Sequence, residues 1–192
     1  MQRQRGRKAR KIALILAIII IASGYMLYQS DYVKRIRYPL KYKEHIQRYA
    51  AEYSLDSYLV ASVIWVESKY DSSAVSRKNA RGLMQLIPET ARWGAEKIGI
   101  HDFDDAMLFD PAVNIRLGCW YLNYLFRQFP GNVQLVLASY NGGIGNVKAW
   151  LENKEYSTDG KTLDYIPFGE TGIYVDLVMK TYYIYKQIYP DL

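Results

Sequence analysis

The spacing of apolar residues predicts a buried helix in the first half of the chain. Apolar side chains recur there at intervals of three and four residues and cover most of the helix circumference. The positions that carry the pattern are Leu55, Leu59, Val60, Val63 and Ile64. Asp56 followed by Ser57 marks the start, because the Asp56 carboxylate suits the capping of free backbone amides. We therefore expect a core helix that ends near Glu67.

Similar patterns predict helices over most of the remaining chain. Pro88 and Pro111 each suit the first turn of a helix, and Pro130-Gly131 ends the helix that starts at Asp110. The further predicted helices span approximately residues 41–53, 88–98, 111–129, 133–140, 147–152 and 171–189. No alternation typical of strands and no internal repeat is present. The predicted fold class is mainly α.

A polar loop over residues 71–82 follows the core helix. Asn79 and Gly82 are its residues best able to take left-handed backbone angles. We expect the chain to turn at these two positions.

An uncharged run from Ile12 to Tyr28 follows a basic N-terminal head. It is just long enough to span a bilayer as a helix, and Tyr25 and Tyr28 suit the membrane interface. A cleaved signal peptide is the alternative, because Ala22-Ser23-Gly24 offers small residues near a cleavage point. We expect an uncleaved, single-pass anchor in the cytoplasmic membrane.

This interpretation divides the chain into four parts. They are a basic cytoplasmic head (1–11), a transmembrane anchor (12–28), a basic stalk (29–43) and an extracytoplasmic domain (44–192).

The charge distribution argues against a nucleic-acid-binding body. The net charge is +6, and the head alone holds six of the 25 basic residues and no acid. The remaining 19 basic residues balance 19 acidic ones, so the rest of the chain is neutral. Cys119 is the sole cysteine, and His45 and His101 are far apart, so neither a disulfide nor a metal site is expected.

Glu67 is the candidate for chemistry, since it lies at the end of the predicted core helix. Burial and the negative end of the helix dipole both disfavour a charged carboxylate and so raise its pKa. A carboxyl group with a raised pKa is a proton donor at neutral pH. A surface glutamate that ends a helix is the other interpretation of this position.

Four short blocks of residues occur in order along the chain. They are Glu67-Ser68 with Tyr70, Asp71, Ala74 and Ser76; Gly82-Leu83-Met84-Gln85 with Pro88-Glu89-Thr90-Ala91; Ser139-Tyr140-Asn141-Gly142-Gly143; and Glu170-Thr171-Gly172-Ile173-Tyr174 behind Ile166-Pro167. Together they resemble the lytic transglycosylase domain of the goose-lysozyme-like, soluble-lytic-transglycosylase type. The resemblance covers roughly residues 44 to 189.

The resemblance implies a lysozyme-like helical domain and a bacterial enzyme of the cell wall. Such enzymes cleave the β-1,4 bond between N-acetylmuramic acid and N-acetylglucosamine in peptidoglycan (murein) without water, and leave a 1,6-anhydromuramic acid end. Glu67 would act as acid and then as base, and no cofactor or metal is implied. The substrate-binding residues carried over are Ser76, Met84, Gln85, Tyr140, Asn141, Glu170 and Tyr174.

Two alternatives remain beside this lyase reaction. A muramidase on the same scaffold would use water held by Asp71, Asp164 or Glu170, because glycoside hydrolysis usually employs two carboxyl groups. A non-catalytic glycan-binding module of a wall-associated assembly is the other. Glycan strands of peptidoglycan are the expected binding partner in all three cases.

Overall fold

The structure is a computed structural model that describes the backbone of residues 2–192 and the side chains of residues 14–28 and 30–192. The chain divides into two units, Met1–Pro39 and Leu40–Leu192. The predicted head and the first residues of the predicted anchor lie outside the described side chains. The four-part division of the chain therefore stays a prediction.

In the first unit, helix α1 (Gln2–Gln29) is followed by α2 (Asp31–Arg37). The hydroxyl of Ser30 caps α2 by accepting a hydrogen bond from the Val33 amide. Within the described residues, no single helix has both the length and the hydropathy of a membrane span. The helical segments Leu14–Tyr28 and Asp31–Arg37 reach them only as a pair, bent by 57°.

The second unit is helical, as the sequence pattern predicts. Its helices are α3 (Lys43–Glu52), α4 (Ser57–Ser68), α5 (Pro88–Lys97), a 3₁₀ helix (Asp105–Phe109), α6 (Pro111–Gln128), α7 (Val133–Gly142), α8 (Ile144–Glu152) and α9 (Gly169–Ile188). Within this unit the backbone forms only isolated β-bridges, Val75 to Arg81 and Arg81 to Leu86. The 3₁₀ helix was not predicted, because five residues are too few for a periodic signal.

Helix α8 begins three residues earlier than its apolar pattern indicates. Gly143 has a φ of 86° and lies between the last residue of α7 and the first of α8. Because glycine adopts this backbone angle without a steric penalty, the chain reverses within one residue and the next helix starts at once.

The core is built around α4. This helix packs against α3 and α9, while α7 contacts α6, α8 and α9. Six consecutive residues of α4, from Leu59 to Ile64, are buried, so this part of the helix is enclosed on all sides. Its N-terminus has the predicted cap, since the Asp56 carboxylate accepts a 2.8 Å hydrogen bond from the Tyr58 amide. The same arrangement starts α6, where Asp110 accepts from the amides of Ala112 and Val113.

Candidate active site

Glu67 is the second-to-last residue of α4, where the buried helix reaches a groove. The helix ends there because Lys69 and Tyr70 take left-handed backbone angles, with φ of 54° and 64°. The Ser68 hydroxyl donates a 2.8 Å hydrogen bond to the carbonyl of Leu83. The end of α4 is thus tied to the loop between α4 and α5, which forms the neighbouring wall of the groove.

The surroundings of Glu67 shift the pKa of its carboxyl group toward neutral pH. Burial raises the pKa of Glu67 to about 7, and an interaction with the Tyr174 hydroxyl offsets part of that rise. Lys69, the nearest cation in sequence, instead places its ammonium 3.1 Å from the centre of the Trp65 ring. Near pH 7 the Glu67 carboxyl is therefore present in both its protonated and its ionised form.

Two tyrosines adjoin Glu67, the buried Tyr174 and the partly buried Tyr140. Burial raises the pKa of Tyr140 and of Tyr174 well above the usual range, and the Glu67 charge adds to the rise. Both hydroxyls are therefore protonated hydrogen-bond donors. The Tyr174 hydroxyl makes no hydrogen bond of regular geometry, although it interacts with Glu67. The Tyr174 hydroxyl is thus placed to donate toward Glu67, which favours the ionised form of the carboxyl group.

A buried asparagine on α6 holds the loop that carries the second block. Asn114 is fully buried and accepts a 2.8 Å hydrogen bond from the Met84 amide. Its amide group donates to the carbonyls of Arg81 (3.0 Å) and Leu108 (2.8 Å). All three bonds are to backbone atoms, so Asn114 holds this segment without the help of the side chains of Arg81, Met84 or Leu108.

Gly82 is required for this close approach. Its φ is 73°, and a Cβ atom there would lie 2.1 Å from the Leu108 carbonyl oxygen and 2.3 Å from the Asn114 amide nitrogen. Gln85 also has a positive φ, 47°. Its side-chain amide donates to the carbonyls of Ala74 and Gly82, which leaves its own carbonyl oxygen as the polar atom available to the groove.

The end of α7 and the start of α9 also line the groove. Asn141 accepts a 2.8 Å hydrogen bond from the hydroxyl of Thr171, which joins the third block to the fourth. Glu170 lies in the first turn of α9 and lines the groove. The Ser76 hydroxyl accepts a 3.0 Å hydrogen bond from the Ala80 amide on the loop wall.

The groove between these walls has a volume of about 740 Å³. Its floor and walls combine apolar and polar groups, which suits a sugar with hydroxyls at its edge and C–H groups on its faces. The lining residues are Glu67, Ser76, Arg77, Lys78, Ala80, Gln85, Leu86, Ile87, Thr90, Tyr121, Tyr140, Asn141, Gly142, Gly143 and Glu170.

Six of the eight predicted site residues line this groove together, and two occupy other places. The Met84 side chain is 0% exposed and packs on Gly118, where a Cβ atom would lie 2.2 Å from the Met84 sulfur. Tyr174 is 6% exposed and lies behind Glu67 rather than on the groove surface. The expectation that both side chains line the cleft is therefore corrected: both are buried by helices that the sequence does not place next to them.

Other groove residues were not singled out in the sequence. Arg77, Lys78 and Tyr121 line the groove and carry no chemical signature by type or spacing, while Thr90 lies in the second block but was given no role. Asn114 was not among the predicted site residues, although a polar residue among the apolar positions of a helix is itself a signal of a buried network. Within the part of the chain that the structure describes, no cluster of three or more metal-ligand side chains is present.

Comparison with known proteins identifies the family. The family described as Transglycosylase SLT domain matches residues 44–162. The chain is 33% identical over 153 residues to the soluble lytic murein transglycosylase of Escherichia coli (strain K12), covering 78% of this chain and 24% of that protein. It is 34% identical over 116 residues to the membrane-bound lytic murein transglycosylase C of Yersinia pestis (strain Pestoides F), covering 56% and 32%. The chain thus spans only about a quarter to a third of these relatives' length.

Solved structures confirm the predicted fold class. The X-ray structure of an inactive glutamate-to-glutamine mutant of the lytic transglycosylase Slt from Pseudomonas aeruginosa matches with a TM-score of 0.71 and 38% identity, over 80% of this chain and 25% of that one. The body is therefore mainly α with the lysozyme-like fold of these enzymes. Since the family match covers more than half of the chain and contains the first three blocks, the chain belongs to the transglycosylase SLT domain family.

Proposed function

We propose that this protein is a peptidoglycan lytic transglycosylase that cleaves the β-1,4 bond between N-acetylmuramic acid and N-acetylglucosamine. The observation that carries the proposal is a single carboxyl group, Glu67, whose pKa burial raises to about 7 at the floor of a glycan-sized groove. Family membership supports the same reaction class.

The chemistry requires one group that first gives and then takes a proton. Protonated Glu67 donates its proton to the glycosidic oxygen, and the bond from that oxygen to the muramic anomeric carbon breaks. The resulting carboxylate takes the proton of the C6 hydroxyl on the same muramic sugar. The C6 oxygen then bonds to the anomeric carbon and closes the 1,6-anhydro ring, so no water is consumed. Since the nucleophile belongs to the substrate, its effective concentration is already high.

The neighbouring groups suit this double use of Glu67. The pKa near 7 makes each form accessible at neutral pH, and the Tyr174 hydroxyl stabilises the carboxylate formed after proton donation. The carbonyl of Gln85, the Asn141 side chain and Glu170 face the groove as acceptors for sugar hydroxyl and amide groups. Tyr121 and Tyr140 supply aromatic surface for pyranose faces.

Hydrolysis on the same scaffold is the second candidate, and Glu170 is the observation that bears on it. Of the three acids considered for holding a water, Asp71 accepts hydrogen bonds from Ser73 and Asp164 from Thr158, and neither lines the groove. A muramidase mechanism would therefore depend on Glu170. A purely glycan-binding role leaves the buried acid unexplained, since burial of a carboxyl group without a pairing cation is unfavourable.

Product analysis tests the reaction. Purified sacculi are digested with the full chain, and the muropeptides are weighed by mass spectrometry, where anhydro ends are lighter by one water than reducing ends. We expect anhydro products, a loss of about 10³-fold in rate for Glu67→Gln, and wild-type rates for Glu155→Gln, an exposed control outside the groove. Only reducing ends, with loss of activity in Glu170→Gln, would establish the muramidase. An active Glu67→Gln variant would refute the catalytic role of Glu67.

We also propose that residues 12–28 anchor the protein in the cytoplasmic membrane with the domain outside. The uncharged run after a basic head supports this placement, as does the need of the proposed enzyme to reach the wall. Membrane fractionation and protease access in spheroplasts test it. Recovery of the domain in the soluble fraction, without residues 12–28, would instead establish the cleaved signal peptide.

A further inference from the structure

Two cations that line the groove have no acidic partner among the side chains that the structure describes. Arg77 and Lys78 are both exposed and both belong to the groove wall. Within residues 14–28 and 30–192, every ion pair formed involves other side chains. The pKa of Glu67 is set by burial and by Tyr174, with no contribution from a cation. Arg77 and Lys78 are therefore charges that the proposed proton transfer at Glu67 leaves without a role.

The backbone presents both side chains from a braced turn. The Asn79 amide donates to the carbonyl of Ser76 over 3.0 Å, which makes Arg77 and Lys78 the two central residues of a four-residue turn. The Ser76 amide donates to the Ala80 carbonyl (2.9 Å), and the Ala80 amide donates back to the Ser76 hydroxyl (3.0 Å). Asn79 closes the turn with the predicted left-handed backbone angle, φ 62°.

The chemistry of the glycan leaves these charges without a counterpart on the sugar rings. N-acetylglucosamine is neutral, and the ring of N-acetylmuramic acid carries acid only through its lactyl ether. That group ends either in a free carboxylate, where the stem peptide has been removed, or in a peptide that bears its own carboxylates. Arginine and lysine bind carboxylates through charge-assisted hydrogen bonds.

We propose that Arg77 and Lys78 form a carboxylate-binding site that recognises the acidic substituent on the lactyl side of muramic acid. This inference rests on the proposed function, because it assumes a peptidoglycan strand in the groove. Glu170 supports it: this acid also lines the groove, from the first turn of α9, and a carboxylate is repelled there and attracted to the Ser76–Asn79 turn. The groove thus carries positive charge at this turn and negative charge at Glu170, and a neutral glycan has no charged group that would respond to this difference.

The test compares charged and neutral substrates with matched variants. Sacculi with intact stem peptides and sacculi stripped by an amidase are each used before and after conversion of their carboxylates to amides with carbodiimide and ammonium. Cleavage rates are measured for the full chain, for Arg77→Gln/Lys78→Gln, and for Arg127→Gln/Lys180→Gln. The last pair removes the same charges from α6 and α9 at exposed positions outside the groove.

We expect the unmodified wall to be cleaved roughly tenfold faster than its amidated form by the wild type and by Arg127→Gln/Lys180→Gln. The ratio of the two cleavage rates, unmodified over amidated wall, should fall toward one in Arg77→Gln/Lys78→Gln. It should also fall in the wild type at high salt, because salt screens the charges. A ratio seen only with intact stems identifies peptide carboxylates as the ligand, and a ratio seen only after amidase treatment identifies the lactyl carboxylate.

A ratio of one in the wild type, or an unchanged ratio in Arg77→Gln/Lys78→Gln, would overturn the inference. An equal fall in both double variants would do the same, because it would indicate general attraction to an anionic wall. Failure of the proposed function is distinguishable, since the wild type would then release no anhydro ends from any of the four substrates.

Discussion

The hydroxyl of Tyr140 donates a 2.7 Å hydrogen bond to the backbone carbonyl of Met84. The amide of Met84 donates in turn to Asn114. Side chains of α6 and α7 therefore bind both the backbone amide and the backbone carbonyl of Met84. These bonds connect residues that are 56 and 30 positions apart in the chain. Gln85, the next residue, reaches the groove because its neighbour is held in this way.

Removal of the Tyr140 hydroxyl should therefore loosen the loop. We expect Tyr140→Phe to lower the free energy of unfolding by about 1–2 kcal/mol, because the Met84 carbonyl loses its side-chain donor. Wall cleavage should also fall, since Gln85 is less well placed. Urea denaturation measures the stability, and Tyr124→Phe is the control, since Tyr124 belongs to the neighbouring aromatic cluster with Trp93, Trp120 and Tyr121. Equal stability of the two variants would contradict the role given to this bond.

The close packing at Gly82 predicts a large effect of one added methyl group. Gly82→Ala should lower the free energy of unfolding by about 3 kcal/mol or more, because the Cβ atom collides with a backbone carbonyl and with Asn114. Gly99→Ala is a matched control, since Gly99 has nearly the same φ, 72°, and nothing within 4 Å of an added Cβ. That variant should show only the left-handed backbone penalty of about 1–2 kcal/mol. Chemical denaturation of both variants separates the cost of the steric collision from the cost of the left-handed backbone.

The raised pKa of Glu67 predicts how stability varies with pH. The folded state binds the Glu67 proton up to about pH 7, whereas the unfolded chain releases it near 4.5. The contribution of Glu67 to the free energy of unfolding is therefore greatest below pH 4.5. It is lost as the pH rises through 7, and the total loss is about 3 kcal/mol.

Glu67→Gln stays neutral and should escape that loss. Its unfolding free energy relative to wild type should rise between pH 4.5 and 7 and then level off. Urea titrations at several pH values test this, with Glu155→Gln as the control for changes in the unfolded chain. A difference that does not vary with pH would show that the Glu67 carboxyl is as well solvated in the folded state as in the unfolded one.

Tyr174 should set the pH dependence of the reaction through Glu67. Its hydroxyl lowers the pKa of that carboxyl, so Tyr174→Phe should raise it. Because the first step needs protonated Glu67, the alkaline limb of the rate profile should move to higher pH. The maximal rate should fall roughly tenfold as the carboxylate loses a donor.

Tyr185→Phe provides the comparison on the same helix. Tyr185 is fully buried on α9, and it interacts with Tyr70 rather than with Glu67. A merely structural effect of losing a buried hydroxyl would lower the rate in both variants without moving the profile. A shifted alkaline limb in Tyr174→Phe alone is the expected result.

Local patterns were enough to predict most of the fold. The caps at Asp56 and Asp110, the prolines that start α5 and α6, and the apolar period of α4 all depend on residues within one or two turns of each other. Glu67 could be singled out for the same reason, since an acid that directly follows a buried run needs no distant partner to be noticed.

The groove, in contrast, depends on contacts between distant segments. Met84 and Tyr174 belong to the same blocks as groove-lining residues, but Gly118 and the packing of α9 on α4 draw their side chains into the interior. Arg77 and Lys78 precede the turn predicted at Asn79, but no local pattern indicates that this turn lies beside the groove. Hydrogen bonds over tens of residues, such as that from Asn114 to Arg81, settle which side of a loop faces solvent. Periodicity and capping describe neighbours along the chain, and so they contain no information about such pairs.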